Sequence, residues 1–170
     1  NRVFGYTSDE LKRQLGLKTN KELYLCYFII YQMILAFYSD TGSYQFVEQT
    51  KISEIVDGVT RSLKKTVSEL GVLVENEVEE NSFKAIALIW DELPMYSQEE
   101  TEEIRASRAS RTAIVKLTFN FMISQGLFIE VDERYYPTDR MKAFVVNYFE
   151  EYRGRLYELL KEGETHAVDE

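Results

Sequence analysis

Between Leu23 and Tyr38 only Gln32 interrupts a run of apolar and aromatic residues, and nothing else in the chain restricts the fold as strongly. A helix that is apolar on every side must be enclosed, either by protein or by lipid. As a helix the run rises roughly 24 Å, short of the ~30 Å hydrocarbon core of a bilayer. Tyr24, Tyr27, Tyr31 and Tyr38 would each carry a hydroxyl that lipid cannot satisfy. The run is therefore expected to be the buried centre of a helical domain and not a membrane span.

The flanking sequence supports this reading. Thr7 to Glu10 forms a capping box that opens a short helix ending at Gly16, and Thr19 to Glu22 forms a second box that opens the apolar helix. The helix should end at the turn Ser39–Ser43, after which Ser43 to Gln49 can supply a short strand. From Thr50, apolar residues at Ile52, Ile55, Val56, Val59, Leu63, Val67, Leu70, Val74 and Val78 recur in steps of three and four. That spacing predicts one long helix or two nearly collinear ones, although Gly58 and Gly71 each cost about 1 kcal/mol against alanine. A rival parse breaks the helix at Gly71 and makes Val72–Val74 a strand. Asn81 or Ser82 caps the next helix, which Pro94 stops.

The last third reads in a definite order. Ala106 to Gln125 is helical, and Gly126 is its stop signal. Leu127–Val131 is a strand, Asp132–Glu133–Arg134 a tight turn, and Tyr135–Tyr136 the returning strand. Thr138 then caps a final helix. Helix, glycine, hairpin, helix is the order of a winged helix-turn-helix with one β-hairpin wing and an appended helix. The fold class is accordingly mainly α. Residues 1–94 form a helical region for which a degenerate winged helix is the other reading, 95–104 an acidic linker, 105–162 a winged-helix domain and 163–170 a disordered tail.

Composition removes most enzymatic chemistry. The chain has 170 residues with a single cysteine, Cys26, and a single histidine, His166. No Ser-His-Asp or Cys-His arrangement and no Cys/His zinc site can be built from these. The eight glycines lie singly along the chain, so no phosphate loop is present. The glutamate runs at 75–80 and 99–103 lack calcium-loop spacing and read as solvated helix faces, as does Asp91–Glu92. Cys26 should behave as a small core hydrophobe, and one cysteine with no disulfide partner fits a reducing, cytoplasmic setting. No cofactor or metal is implied. The chain begins at Asn1 and not at a methionine, which reads as a fragment or trimmed form.

Two binding surfaces are candidates. Arg105, Arg108 and Arg111, spaced three apart at the start of the helix before the hairpin, would face the major groove in a DNA-binding winged helix, with Arg134 at the hairpin tip reaching a phosphate. Against this stands the net charge of -9, the wrong sign for a chain that binds DNA by releasing counterions. Pairing with Glu99–Glu103, or contact with a protein partner, is the competing reading. The second surface is the last helix, where Tyr148, Phe149, Tyr152, Tyr157 and Leu160 supply bulk for a homodimer or partner interface.

Asn20–Ile30, Phe83–Ala87 through Trp90–Pro94, and Tyr136–Met141 through Asn147–Phe149 together resemble an uncharacterised bacterial family. That family is carried under a domain-of-unknown-function label and sometimes under a nonribosomal-peptide-synthetase name. The resemblance spans about residues 1 to 150. The chain has no phosphopantetheine serine motif and no histidine pair, which speaks against the synthetase name. Gly126–Val131 followed by Tyr135–Arg140 also resembles the second winged helix of kite subunits, the MukE-like proteins. Kites are acidic dimers of tandem winged helices that bind the kleisin of bacterial SMC complexes, the Muk, Mks and Wadjet types among them. The resemblance implies a non-enzymatic accessory subunit with a kleisin-type partner; the alternative is a transcriptional regulator that contacts DNA directly.

Overall fold

The computed structural model describes residues 4–38, 47–69, 83–97 and 105–145. Within them lie five helices, α1 (Ser8–Leu15), α2 (Asn20–Phe37), α3 (Ile52–Glu69), α4 (Phe83–Glu92) and α5 (Arg111–Ser124), then strands β1 (Phe128–Val131) and β2 (Arg134–Pro137). A further helical segment follows at 139–145. The described protein is mainly helical with one antiparallel hairpin.

Both capping boxes form. Thr7 Oγ1 accepts from the Glu10 N–H, and the Glu10 carboxylate accepts from the Thr7 N–H at 2.7 Å. Thr19 and Glu22 repeat the arrangement at the start of α2. Gly16 ends α1 in the left-handed conformation, φ 67°, which its missing Cβ allows. The apolar run becomes α2 and lies at the centre: Leu25, Cys26, Ile29, Ile30, Met33, Ile34 and Phe37 have no exposed surface. α1, α3, α4 and α5 all pack against it. No helix among the described residues is long and apolar enough to cross a membrane.

α3 runs unbroken through Gly58 to Glu69, as the spacing of three and four predicts. Gly58 faces the side chain of Gln32 on α2. Ser62 donates to the Gln32 side-chain Oε1 at 2.9 Å, and Trp90 Nε1 donates to Thr60 Oγ1 at 3.0 Å, so polar bonds key α3 to both neighbours. The question of a break near Gly71 falls outside the described residues, as do the caps at Asn81 and Ser82 and most of the acidic linker.

Several boundaries differ from expectation. The helix before the hairpin starts at Arg111, not Ala106. Ser110 is its N-cap, accepting from the Ala113 N–H at 3.0 Å, while Ser107 accepts from the Ala109 N–H and holds 107–109 in a bend. Two serines that each favour local bonds to the main chain thus set the start one and a half turns later. The turn of the hairpin is Asp132–Glu133 alone, with φ of 51° and 61°, so Arg134 is the first residue of β2. The strand expected at 43–49 lies largely outside the described residues, and 47–49 carry no regular structure. Pairing begins only at Thr50, whose N–H donates to the Tyr135 carbonyl (3.0 Å) and whose carbonyl accepts from the Tyr135 N–H (2.9 Å).

Register within the hairpin pairs Phe128 with Pro137, Ile129 with Tyr136, Glu130 with Tyr135 and Val131 with Arg134. Phe128 and Tyr135 point inward, and the Tyr135 ring stacks on Phe119 with centroids 3.8 Å apart. Thr138 closes the unit: its hydroxyl donates to the Gly126 carbonyl at 2.7 Å and accepts from the Met141 N–H at 3.2 Å. One core runs from Leu11 through α2 to Met141 and Val145.

Candidate interaction surface

The four candidate arginines separate into two pairs. Arg108 reaches across to Glu22 at the start of α2, Nη1 to Oε1 2.8 Å. Burial pushes the Glu22 carboxyl up, but the Lys18 N–H, the Arg108 guanidinium and the Thr19 N–H together outweigh it and hold the group below its ordinary range. Arg111 donates from Nε to the Trp90 carbonyl at 3.0 Å, and its guanidinium lies 5.4 Å from the centre of the Trp90 ring. An Asp91 oxygen 3.9 Å away adds a weak ionic contact. Both residues therefore stitch the start of α5 and the bend before it to α2 and α4. Arg105 and Arg134 are exposed. Glu99–Glu103, the expected ionic partners, lie outside the described residues.

α5 itself is largely enclosed. Thr112, Ala113, Ile114, Val115, Thr118, Phe119, Phe121 and Met122 are buried, and along the helix only Asn120 and Ser124 are exposed. Its low amphipathicity follows from contacts with α1, α2, α3 and β1 together.

Sequence reading missed a cluster beneath the hairpin. Lys116 Nζ donates to both Glu130 oxygens, at 2.7 and 2.8 Å, and to the Tyr135 hydroxyl at 3.0 Å. All three ammonium donors are thereby satisfied. Burial pulls the Lys116 pKa down, but Glu130 and Tyr135 overcome this and raise it, so the amine stays protonated and is no nucleophile. Burial likewise raises the Tyr135 hydroxyl, ahead of the lowering by Lys116. The cluster clamps the hairpin to α5 and forms one wall of a cleft of about 540 Å³ with Lys51, Ser53 and Arg134. Its only sequence signal was a lysine inside an apolar helix.

Cys26 is fully buried, and burial pushes its thiol up to about 12. Among the described residues no three His, Cys, Asp or Glu side chains converge as metal ligands would. Among the described residues, several large apolar side chains do reach solvent. Leu88 on α4 and Met95 and Tyr96 just after it are exposed, Tyr96 being 62% exposed, and so are Ile129 and Val131 on the outer face of β1. Met95 is held in place because its carbonyl accepts from the Thr112 N–H and hydroxyl. Tyr148, Phe149, Tyr152, Tyr157 and Leu160, expected at an interface, lie outside the described residues.

Fold and surface define a mainly helical protein whose partly buried ion pairs hold its elements together and in which a few large apolar side chains reach solvent. The chain belongs to a family of unknown function (DUF6063), whose sequence pattern matches residues 1–167. No curated protein and no solved structure matches it.

Proposed function

We propose that this chain is a non-enzymatic, cytoplasmic accessory subunit that works by binding another protein. In this reading α5, the hairpin and the segment at 139–145 act as a winged helix of the kite kind, and the partner is a kleisin-type subunit of a bacterial SMC-like complex. Thr50 pairing alongside β2 extends the hairpin sheet behind the wing, which suits that architecture.

The burial of α5 carries the preference for protein over DNA. A helix that reads base edges must present a face to the major groove, and this one has given its faces to the core. Two of its candidate phosphate contacts, Arg108 and Arg111, serve Glu22 and Trp90 instead. A net charge of -9 adds a long-range repulsion from DNA. The exposed side chains of Leu88, Met95 and Tyr96 offer apolar anchors, and aromatic anchors commonly dominate protein interfaces.

The test is co-expression with the SMC-type ATPase and kleisin-type genes of the native operon, followed by size-exclusion chromatography. A stable complex that Leu88→Asp and Tyr96→Asp dissociate is the expected result. Submicromolar binding to random duplex DNA at ~150 mM salt, lost on mutating Arg105 and Arg134 to alanine, would overturn the reading in favour of a regulator.

A further inference from the structure

Ahead of α1 the backbone makes a turn that its own residues do not favour. Phe4 stands in the left-handed region at φ 53°, and Gly5 follows it there at φ 81°. Glycine takes such a φ freely, whereas the Cβ of a bulky residue crowds the following carbonyl. A strained residue of this kind persists only where its surroundings hold it. Aromatic contacts supply the hold. The Phe4 ring stacks on Phe144 of the helical segment 139–145, with centroids 5.0 Å apart and planes 17° from parallel. It also meets Phe121 of α5 edge-on at 5.5 Å, and the Tyr6 ring leans on the same Phe121 at 6.2 Å.

The far end of this short arm is pinned. The Thr7 N–H donates to the Glu10 carboxylate, Thr7 Oγ1 accepts from the Glu10 N–H, and the Thr7 carbonyl accepts from the Leu11 N–H. Leu11 and Leu15 then bury α1 in the core. Thr7 is thus a fixed pivot, and motion ahead of it is confined to residues 4–6. The receiving rings are set differently: Phe121 is buried, while Phe144, like Phe4 itself, is only partly buried.

We propose that residues 4–6 are a strap that opens about Thr7 while the rest of the fold stays intact, uncovering an aromatic slot on Phe121 and Phe144. The docked and released states lie close in free energy, because the turn that docking imposes on Phe4 offsets part of what its ring contacts contribute. Release lets Phe4 return to ordinary backbone angles and leaves its two ring partners open. Such a slot selects another flat ring, stacked on Phe144 and edge-on to Phe121, as Phe4 lies now. The strap is a built-in competitor, since an incoming ring must displace Phe4 and its affinity falls by the fraction of molecules that are closed. That the incoming ring belongs to a protein partner rests on the function proposed above; the strap and the slot do not.

The experiment compares the isolated full chain with two variants. A Cβ at Gly5 meets nothing within 4 Å, so Gly5→Ala penalises the left-handed turn and leaves the ring contacts alone. The closed-to-open ratio should fall by about tenfold. NMR relaxation dispersion on the Phe4 and Phe144 ring resonances measures that ratio, with the resonances of α2 as the reference that should not move. Phe4→Ala empties the slot, and it should bind the aromatic probe anilinonaphthalene sulfonate several-fold more strongly than wild type at unchanged far-UV circular dichroism. A ratio unchanged by Gly5→Ala, ring exchange that occurs only together with α2, or no gain in probe binding by Phe4→Ala would overturn the proposal. Both measurements are made without a partner, so their failure is distinct from failure of the functional reading.

Discussion

Gly58 sits in the middle of α3, where glycine costs about 1 kcal/mol against alanine. A Cβ there would stand 2.6 Å from Gln32 Nε2 and 3.0 Å from both Cδ and Cγ of the same side chain. Three atoms of one side chain are too close for a small torsion of its tip to clear them. Gly58→Ala must displace Gln32 and with it the bond from Ser62 to the Gln32 oxygen. Crowding of this kind costs about 1–3 kcal/mol, against the gain of about 1 from helix propensity. The expected net effect is a loss of about 1 kcal/mol. In a Gln32→Ala background the crowding disappears and only the propensity gain remains, so the same substitution should stabilise by about 1 kcal/mol. The coupling between the sites is then about 2 kcal/mol. Urea denaturation followed by circular dichroism on the four proteins of the cycle measures it. Equal effects of Gly58→Ala in the two backgrounds would refute the claim that Gln32 is why a glycine stands here.

Glu133→Gly should raise the melting temperature by about 2–4 °C, since Glu133 holds a left-handed conformation (φ 61°) that glycine adopts freely; a lower value in differential scanning calorimetry would count against the turn geometry. Glu22 has a lowered pKa in the folded state, so its contribution is complete above its unfolded value near 4.5 and is lost as pH falls below it. The stability gap between wild type and Glu22→Gln should therefore be constant at neutral pH and shrink on acidification, and a gap unchanged down to pH 3 would contradict the Arg108 pairing. Cys26, with a thiol near 12 and no exposed surface, should react with a disulfide reagent at pH 8 only as fast as the protein unfolds. Immediate stoichiometric labelling would show that α2 is not at the centre.

What the sequence announced was local. Thr7–Glu10 and Thr19–Glu22 are contacts three residues apart, and both formed as read. The steps of three and four through Ile52–Leu63 describe one helix face, and the apolar run from Leu23 could only be a core helix. The hairpin was legible because Gly126, the acidic turn and Pro137 bracket two short apolar strands. Ala106–Ser110 was misread because a helical pattern and a serine-rich bend look alike until the cap is seen. Arg108 was beyond reach for a different reason: its partner Glu22 stands 86 residues away, and no spacing rule connects them. The Lys116–Glu130–Tyr135 clamp was hidden in the same way, since Lys116 and Glu130 stand 14 residues apart on different elements and meet only because Glu130 shares the inner face of the hairpin with Phe128 and Tyr135.

The two bonds between Thr50 and Tyr135 matter most for the order in which the protein assembles. The β1–β2 turn and the capped helices are closures of a few residues and can form in microseconds without help from the rest of the chain. Thr50 and Tyr135 must instead be brought together across half of the sequence, and the entropy of that closure is recovered only when α3, α5 and the hairpin are already in contact. Nothing that contains only one of the two residues can make this pairing. The hairpin is thus an early local shape that becomes part of the native sheet late, when the segment ahead of α3 arrives beside it.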